Sequence, residues 1–498
     1  MVQHASGSST PEQTQPLNYS NVEAWLNEFM PAALRDADIA GAVVIITRRE
    51  TVLFQKGYGY ADVAARLPMD PDQTVIGVGS VSKTFTWTAV MQQVEQGNLD
   101  LDRDINAYID FEIPEAFGEP ITLRHLMTHT SGIRDKGFKE VPPDRQPRNL
   151  REFLTSVTPP PRVYPPGEVW SYSNYGSMLG GYIVERVSGE PFVDYVDNHI
   201  LKPLDMNHST FRRPVPDALA GQFSQAYGLG SGLPFPRDRE EPSGDPSGHL
   251  ATTAADMSRF MRAHLNDGEF DEHRLLKPAT VAAMQRRADA PFAGGYGSTL
   301  GFFHTVLEGK VILAHPGDLT GFHADLRLLP NDGIGLFVGL NSDGTPVGLV
   351  DKSYTLRTVL FDEFLERFFP TEPDAPEAAA PSGREHAVLA AGEYEMSRQG
   401  EAYNFYDAIY LLYRVFLKSN EDGTIETPAM ISFTKSVPRT WREVSPFQWS
   451  EVDGDGRIYM KVVDGRVVSW LPDDLFSFEM LRVPFYRSAT LNLPLLYF

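Results

Sequence analysis

Ser80 and Lys83 stand three residues apart where an apolar, glycine-rich run meets a helical pattern. Gly77-Val78-Gly79 precedes Ser80, and apolar residues at helical spacing follow Lys83. If a helix begins near Ser80, Lys83 lies one turn later on the same face, and its amine can reach the serine hydroxyl. Lysine can activate a serine nucleophile, and the positive end of a helix favours negative charge there. The alternative interpretation is an N-cap serine followed by a surface lysine.

A second motif, Tyr172-Ser173-Asn174, follows a Pro-Gly pair later in the chain. A nearby lysine lowers the pKa of a phenol, so we expect Tyr172 to act as a general base toward Ser80. Asn174 can donate a hydrogen bond to a substrate carbonyl and accept one from Lys83. The alternative is a turn followed by an aromatic side chain that fills the core.

A third motif, His315-Pro316-Gly317, ends an apolar run typical of a strand. Gly317 allows another backbone to approach closely beside a cleft. The backbone N–H of Asp318, together with that of Ser80, can then form an oxyanion hole for an acyl-transfer intermediate. The alternative is a histidine that caps a turn at the end of the strand.

The three motifs in this order resemble those of the serine β-lactamase and penicillin-binding-protein superfamily. The likeness is closest to its class C-like branch of esterases, D-aminopeptidases and related peptidases. Segments 57–62, 126–133, 248–256 and 296–302 also resemble segments of that family, and the resemblance covers about residues 23–370. It implies an acylated nucleophile at Ser80, and proton transfer shared by Lys83 and Tyr172. It also implies a set of groups that line the substrate site or hold the oxyanion, namely Asn174, His315, Gly317, Asp318 and the backbone of Ser80.

One departure from the family pattern bears on the substrate. Penicillin-recognising members carry lysine where this chain has His315, and a histidine holds less charge at neutral pH. We therefore do not expect efficient β-lactamase activity. The resemblance implies a serine hydrolase that forms an acyl-enzyme on Ser80, and we favour a peptidase or amidase acting on short, linear or D-residue-containing peptides. The alternatives are a carboxylesterase of the same fold and a weakly active or silent peptide- or peptidoglycan-binding protein.

Composition excludes several other classes of protein. The chain has 498 residues and no cysteine, which excludes disulfides, thiolate catalysis and cysteine-based zinc sites. A formal net charge of −22 argues against a nucleic-acid partner. We expect no cofactor and no metal. His125 and His129 have a zinc-like spacing of four, but no glutamate lies between them, and the family likeness explains that segment as structural.

The pattern of strands and helices predicts two folded units. We expect a flexible tail over residues 1–19 and a catalytic domain over 20–370, with a helical insertion over about 100–250. A linker over 371–386 and a C-terminal β domain over 387–498 follow. The predicted fold class is α/β (α+β) and β-lactamase-like. It combines an antiparallel sheet flanked by helices, an all-helical subdomain and a C-terminal β-barrel-like domain.

The location of the protein is inferred from family resemblance. Neither a signal peptide nor a stretch of 18 apolar residues is present in the sequence. Longer family members have a similar C-terminal β domain, which membrane helices follow in some cases. We therefore expect an extracytoplasmic protein whose signal peptide has been removed, with a membrane tether beyond Phe498. The apolar segment 491–498 is interpreted as a buried strand or the stub of that tether. The expected partner is a small peptide or ester substrate, and the oligomeric state stays open.

Overall fold

The computed structural model describes most of the chain. The described residues are 15–135, 149–156, 160–228, 246–288, 292, 297–347, 350–371, 377–398, 414–429, 437–473 and 478–496.

The helices are numbered in chain order. They are α1 (Tyr19–Ala37), α2 (Ser82–Glu95), α3 (Leu123–Met127), α4 (Leu150–Ser156), α5 (Asn174–Ser188), α6 (Phe192–Val196), α7 (Asp217–Ala220), α8 (Ala254–Leu265), α9 (Pro278–Gln285), α10 (Lys352–Phe368), α11 (Gly383–Ala390) and α12 (Ala489–Leu496).

The strands are numbered in the same way. They are β1 (Gly41–Arg48), β2 (Val52–Asp62), β3 (Leu67–Pro68), β4 (Ile76–Gly77), β5 (Ala251–Thr252), β6 (Glu269–Phe270), β7 (His273–Arg274), β8 (Gly297–Ser298), β9 (Phe303–Leu307), β10 (Lys310–Leu319), β11 (Phe322–Leu329), β12 (Ile334–Leu340), β13 (Pro346–Val347), β14 (Val350–Asp351), β15 (Gly392–Met396), β16 (Val415–Ser419), β17 (Ile425–Thr427), β18 (Arg439–Ser445), β19 (Gln448–Glu451), β20 (Arg457–Val463), β21 (Arg466–Pro472) and β22 (Met480–Arg482).

The first eight-stranded sheet is assembled from both ends of the larger unit. Its order is β3-β2-β1-β12-β11-β10-β9-β8, and the neighbouring strands pair antiparallel. Strand β12 pairs with β1 in a register that joins Val44 to Val338. This pairing places the almost continuously apolar β12 at the centre of the sheet, as its sequence predicts.

Both faces of this sheet are covered. Side chains of alternate residues point to opposite sides of a strand, so each strand contributes to two cores. On β1, Val43 and Ile45 pack into the core beneath the helical region, whereas Val44 and Ile46 pack into a second core on the other face. Helices α1 and α10 supply the other side chains of that second core, such as Leu360. Strands β10 and β12 lie within this covered sheet, and the end of β10 carries Gly317 and Asp318.

Helix α2 is buried all round, which fixes the groups at its N-terminus. Its buried hydroxyls bond to backbone carbonyls, as in the contacts of Thr88 with Thr84 and of Thr86 with Pro246. Helix α5 packs against α2, and helices α3 to α7 occupy the region for which the sequence predicts a helical insertion.

The C-terminal strands β15 to β22 form a closed barrel in which consecutive strands are neighbours and β22 returns to β15. Its core contains Tyr394 and the indole rings of Trp441, Trp449 and Trp470. Closure leaves no free sheet edge. The predicted fold class is confirmed, both for the antiparallel sheet with helices and for the C-terminal barrel.

Two local expectations differ from the structure. Segment 489–496 is the helix α12, so the interpretation of residues 491–498 as a strand is wrong for the residues that are described. Ser80 lies in a 3₁₀ turn, Gly79–Val81, and α2 begins only at Ser82. None of the helices within the described residues is long and apolar enough to cross a membrane.

Residues 1–14 of the predicted tail and residues 372–376 of the predicted linker lie outside the described part of the chain.

Candidate active site

Ser80 and Lys83 are brought into contact by the turn that precedes α2. The Lys83 Nζ atom lies 3.1 Å from the Ser80 Oγ atom. Lys83 is fully buried, whereas Ser80 is partly exposed and can be reached by a ligand. The spacing that predicts this contact holds even though Ser80 precedes the α-helix proper, because the 3₁₀ turn continues directly into the first turn of α2.

Lys83 has two further acceptors. Its Nζ atom donates to the Asn174 Oδ1 atom at 2.8 Å and to the Ser247 carbonyl at 2.5 Å. An ammonium group carries three protons, and Ser80, Asn174 and Ser247 supply acceptors for this one among the described residues. Lys83 is thereby held in one orientation. When Lys83 is a neutral amine, its two N–H groups can donate hydrogen bonds to Asn174 and Ser247. Its lone pair is then directed at the hydroxyl proton of Ser80.

Tyr172 lies in the same cluster, immediately before α5. Its ring centroid is 4.8 Å from Lys83 Nζ, and only 5% of the residue is exposed. Its hydroxyl faces Ser80, but within the described residues it makes no contact with the distance and angle of a hydrogen bond. Burial raises the pKa of Tyr172, and the nearby Ser80 hydroxyl and Arg398 guanidinium only partly oppose this. The expectation of a lowered phenol pKa is therefore wrong, because desolvation of the phenolate outweighs the cations.

The turn at Ser80 and strand β10 pack backbone against backbone. Gly79 has a positive φ of 51°, and a Cβ on it would lie 2.7 Å from the Asp318 nitrogen. A Cβ on Gly317 would lie 2.8 Å from the Ser80 nitrogen and would overlap the Val78 carbonyl. Glycine at both positions thus lets the backbone nitrogens of Ser80 and Asp318 come to one junction, the arrangement that an oxyanion hole requires.

The side chain of Asp318 anchors this part of β10. Its Oδ1 atom accepts from the Arg357 guanidinium at 2.6 Å and from His323 at 2.7 Å. Arg357 also donates to the carbonyl oxygens of Gly317 and Ala324. The Asp318 side chain is about half exposed, so desolvation raises its pKa less than the charges of Arg357 and His323 lower it, and that pKa lies well below its usual value. Arg357 of α10 therefore holds the part of β10 that carries the Asp318 nitrogen.

His315 lies on the same strand and is neutral. Burial, reinforced by the charge of Lys83, lowers its pKa to about 3. Its Nδ1 atom is 2.9 Å from the Pro316 carbonyl, which can only accept, so the proton sits on Nδ1. The ring packs 5.0 Å from that of Phe303 and 6.5 Å from that of Tyr172. The predicted lack of charge at this position agrees with these surroundings.

Four further groups contact the predicted residues. The sequence motifs do not single out His129, whose ring lies 4.3 Å from that of Tyr172, or the Ser247 carbonyl that holds Lys83. Asp135 accepts from the Asn174 backbone nitrogen at 2.6 Å, and Arg398 of the barrel pairs with Asp135 at 2.9 Å. His129 follows α3 within the segment 126–133 whose family likeness is noted above, which is a usable signal, and Asp135 lies two residues beyond that segment. Arg398 has none, because it lies in another folded unit.

The two histidines with zinc-like spacing have other partners. His125 forms a capping box with Thr122 at the start of α3, and the Nδ1 atom of His129 accepts from the Ser173 nitrogen. Across the described residues, no group of three or more histidine, aspartate or glutamate side chains is arranged to hold a metal ion.

Comparison with known proteins gives relatives of the same kind. The chain is 28% identical over 318 residues to Protein flp of Staphylococcus aureus (strain N315), a match that covers 63% of this chain and 62% of that protein. It therefore spans less than two thirds of that relative's length. It is also 29% identical to the putative penicillin-binding protein PbpX of Bacillus subtilis (strain 168), over 60% of this chain and 69% of that protein.

Solved structures share the fold along nearly the whole chain. The octameric penicillin-binding protein homologue from Pyrococcus abyssi superposes with a TM-score of 0.59 at 23% identity, covering 92% of this chain and 99% of that one. SurE superposes with a TM-score of 0.63 at 22% identity, covering 94% and 100%. The model of the family described as Beta-lactamase matches residues 26–360, which include every group of the cluster around Ser80 except Arg398. The chain therefore belongs to the Beta-lactamase family.

Proposed function

We propose that the protein is a serine hydrolase, and specifically a peptidase or amidase that acts on short, linear or D-residue-containing peptides through an acyl-enzyme on Ser80. The observation that carries the proposal is the 3.1 Å contact between Lys83 Nζ and Ser80 Oγ in a partly exposed turn. A serine hydroxyl is a weak nucleophile, and an adjacent base is one of the ways in which it is activated.

The first step is attack of the Ser80 Oγ atom on the substrate carbonyl. Lys83, as the neutral amine, accepts the hydroxyl proton, and its other contacts with Asn174 and Ser247 keep its lone pair directed at Ser80. The developing oxyanion is stabilised by the backbone N–H groups of Ser80 and Asp318. A bond forms between Oγ and the carbonyl carbon, and the carbonyl π electrons move to the oxygen.

The second step expels the leaving group. An amine leaves readily only when its nitrogen is protonated, and Tyr172 is placed to supply that proton because burial keeps the phenol protonated. The proton taken by Lys83 then restores the phenol. Water attacks the resulting ester on Ser80 with the same groups acting in reverse, which releases the acid and regenerates the hydroxyl.

Two observations support peptides over β-lactams. His315 is neutral and buried, so β10 lacks the cation that penicillin-recognising members present at this position to a substrate carboxylate. One structural neighbour, SurE, has been solved with D-Leu at 23% identity to this chain, and this supports a D-residue in the substrate class that we propose.

The test has two parts. Intact mass is measured after incubation with a fluorophosphonate probe, for wild type and for Ser80→Ala; we expect one adduct on wild type and none on the variant. Turnover is then measured with D-alanyl and L-alanyl p-nitroanilides, the matching p-nitrophenyl esters and a chromogenic cephalosporin. Turnover of amides at rates comparable with those of the esters supports the peptidase. Failure of well-folded wild type to label contradicts an activated Ser80 and leaves the binding-protein alternative.

A carboxylesterase is the second candidate. The partly exposed Ser80 and the same oxyanion groups serve an ester as well as an amide, since an alcohol leaves with less help from an acid. Turnover confined to esters, with an unaltered rate in Tyr172→Phe, would select this candidate over the peptidase.

A further inference from the structure

The C-terminal barrel contributes a charged side chain to the site around Ser80. Arg398 follows strand β15, and its Nε and Nη2 atoms donate to the Asp135 Oδ2 atom at 3.1 and 2.9 Å. The centre of its guanidinium lies 4.8 Å from the ring centroid of Tyr172. Lys83 Nζ lies at the same distance from that ring, so two cations from different folded units contact one phenol.

Asp135 carries this contact on to the nucleophile. Its carboxylate accepts from the backbone nitrogen of Asn174 at 2.6 Å and from the Asn174 Nδ2 atom at 3.3 Å. With Nδ2 facing Asp135, the Oδ1 atom of Asn174 faces Lys83, where it accepts at 2.8 Å. A continuous line of hydrogen bonds thus runs from Arg398 through Asp135, Asn174 and Lys83 to Ser80.

The position of Arg398 is fixed by a seam of hydrogen bonds beside it. The Ser397 Oγ atom donates to the Trp170 carbonyl at 2.6 Å, and the Ser171 hydroxyl donates to the Ser397 carbonyl at 3.2 Å. The Trp170 nitrogen donates to the Glu479 Oε1 atom at 2.9 Å, and Ser171 forms a bridge with Phe478. Trp170 and Ser171, which directly precede Tyr172, make these bonds with the barrel. The barrel is therefore attached to the segment that carries the phenol.

We propose that Arg398 is a positioning residue for the acyl transfer: it holds Asp135, and through Asp135 the Asn174 amide and Lys83. This inference rests on the proposed chemistry at Ser80. According to this inference the barrel contributes to the active site, because Arg398 is the first member of the line of hydrogen bonds that reaches Ser80.

The charges around Tyr172 set the direction of the expected effects. Burial is the largest influence and raises the phenol pKa, Arg398 lowers it and Asp135 raises it. The titratable and charged groups that face the phenol or its ring come from α2, the segment after α3, β10 and the barrel, and they are Lys83, His129, Asp135, His315, Asp318 and Arg398. Replacing Arg398 should therefore raise the phenol pKa further, which leaves the phenol protonated, and replacing Asp135 should lower that pKa.

The test is the second-order rate of Ser80 labelling by a fluorophosphonate, followed from pH 5 to 10 in Arg398→Met, Arg398→Lys, Asp135→Asn and wild type. The probe carries no carboxylate, so a changed rate cannot come from lost recognition of a substrate carboxylate. We expect labelling to slow roughly 10- to 100-fold in Arg398→Met and Asp135→Asn, because small misplacements of catalytic groups have effects of this size. The rising limb reports loss of a proton from the base, Lys83, and a nearby cation favours that loss. Its apparent pKa should therefore move up when Arg398→Met removes a cation and down when Asp135→Asn removes an anion.

The controls separate positioning from folding. Arg442→Met removes an exposed arginine from strand β18 of the same barrel and should label like wild type. Arg398→Lys keeps the charge but not the planar fork, so its pH profile should stay near that of wild type while its rate falls. Wild-type rate and profile in folded Arg398→Met would overturn the inference, and so would a raised KM for peptides with normal labelling. Absence of labelling in wild type would instead contradict the proposed function.

Discussion

The backbone of Gly317 packs directly against that of Ser80, so closely that a Cβ on the glycine would lie 2.8 Å from the serine nitrogen. This contact joins the turn before α2 to strand β10, two segments more than 200 residues apart in the sequence. The nucleophile and the second N–H of the oxyanion hole therefore depend on one close approach of two backbones. A side chain at this position should affect the reaction before it affects the rest of the fold.

Replacement of Gly317 by alanine should lower the rate of Ser80 labelling at least ~100-fold, in line with the loss of an oxyanion-hole donor. The added methyl group would overlap the Val78 carbonyl and push β10 away from the turn. Labelling kinetics and thermal unfolding measured together distinguish this from unfolding. Gly221→Ala is the matched control, because a Cβ there meets no atom within 4 Å. Equal labelling rates in the two variants would contradict the assigned oxyanion hole.

The shares of Lys83 and Tyr172 in proton transfer can be measured separately. Lys83→Ala and Tyr172→Phe should each reduce amide turnover by roughly 100-fold or more, the range typical of a lost general acid or base. If Tyr172 acts as the acid toward the leaving amine, Tyr172→Phe should slow amides far more than p-nitrophenyl esters, whose leaving group needs no proton. Equal losses for the two substrate types would contradict that role and place Tyr172 with Lys83 in activating Ser80.

The residues that the sequence predicts for the site are those carried by local motifs. Ser80 and Lys83 share one turn, and Tyr172 and Asn174 lie at the start of one helix, so their spacing alone places each pair. The contact of Asp135 with Arg398 joins residues 263 positions apart in two folded units. The local sequence around either residue does not indicate this contact, because it forms only when the barrel packs against the catalytic domain.

Burial is the second property that local patterns leave out. The motifs place Lys83 beside Tyr172 correctly but predict the wrong direction for the phenol pKa, because a neighbouring lysine can be inferred from the sequence and the depth of desolvation cannot. The antiparallel sheet was more predictable. Strands such as β12 are apolar without a break, which is typical of a strand covered on both faces.

His315 should not contribute a titration to the reaction between pH 5 and 9. Burial and the charge of Lys83 lower its pKa to about 3, so the imidazole stays neutral over that whole range. We therefore expect His315→Gln to keep the apparent pKa values of the labelling profile, with a rate change of less than about tenfold. A limb near pH 6.5 that is present in wild type and lost in this variant would show that His315 does ionise in the working protein.

The docking of the barrel should weaken as pH rises from about 4.5 to about 7. Burial raises the pKa of Glu479 from 4.5 to about 7, although the Trp170 nitrogen and Ser469 partly oppose this. The folded protein thus holds the carboxyl proton more tightly than the unfolded chain. Stability is unaffected by this group below the unfolded pKa, falls as pH rises from there to about 7, and stays reduced above it.

The expected loss has a ceiling of about 3 kcal/mol in the free energy of unfolding, since each unit of pKa shift corresponds to about 1.4 kcal/mol. Thermal unfolding from pH 5 to 8.5 measures it, in wild type and in Glu479→Gln. Glutamine keeps an oxygen for the Trp170 nitrogen and has no proton to lose, so the variant should lose less stability across this range. Glu385→Gln, at an exposed position on α11, is the matched control and should follow wild type. Parallel curves for wild type and Glu479→Gln would show that this carboxyl does not set the pH dependence of the seam.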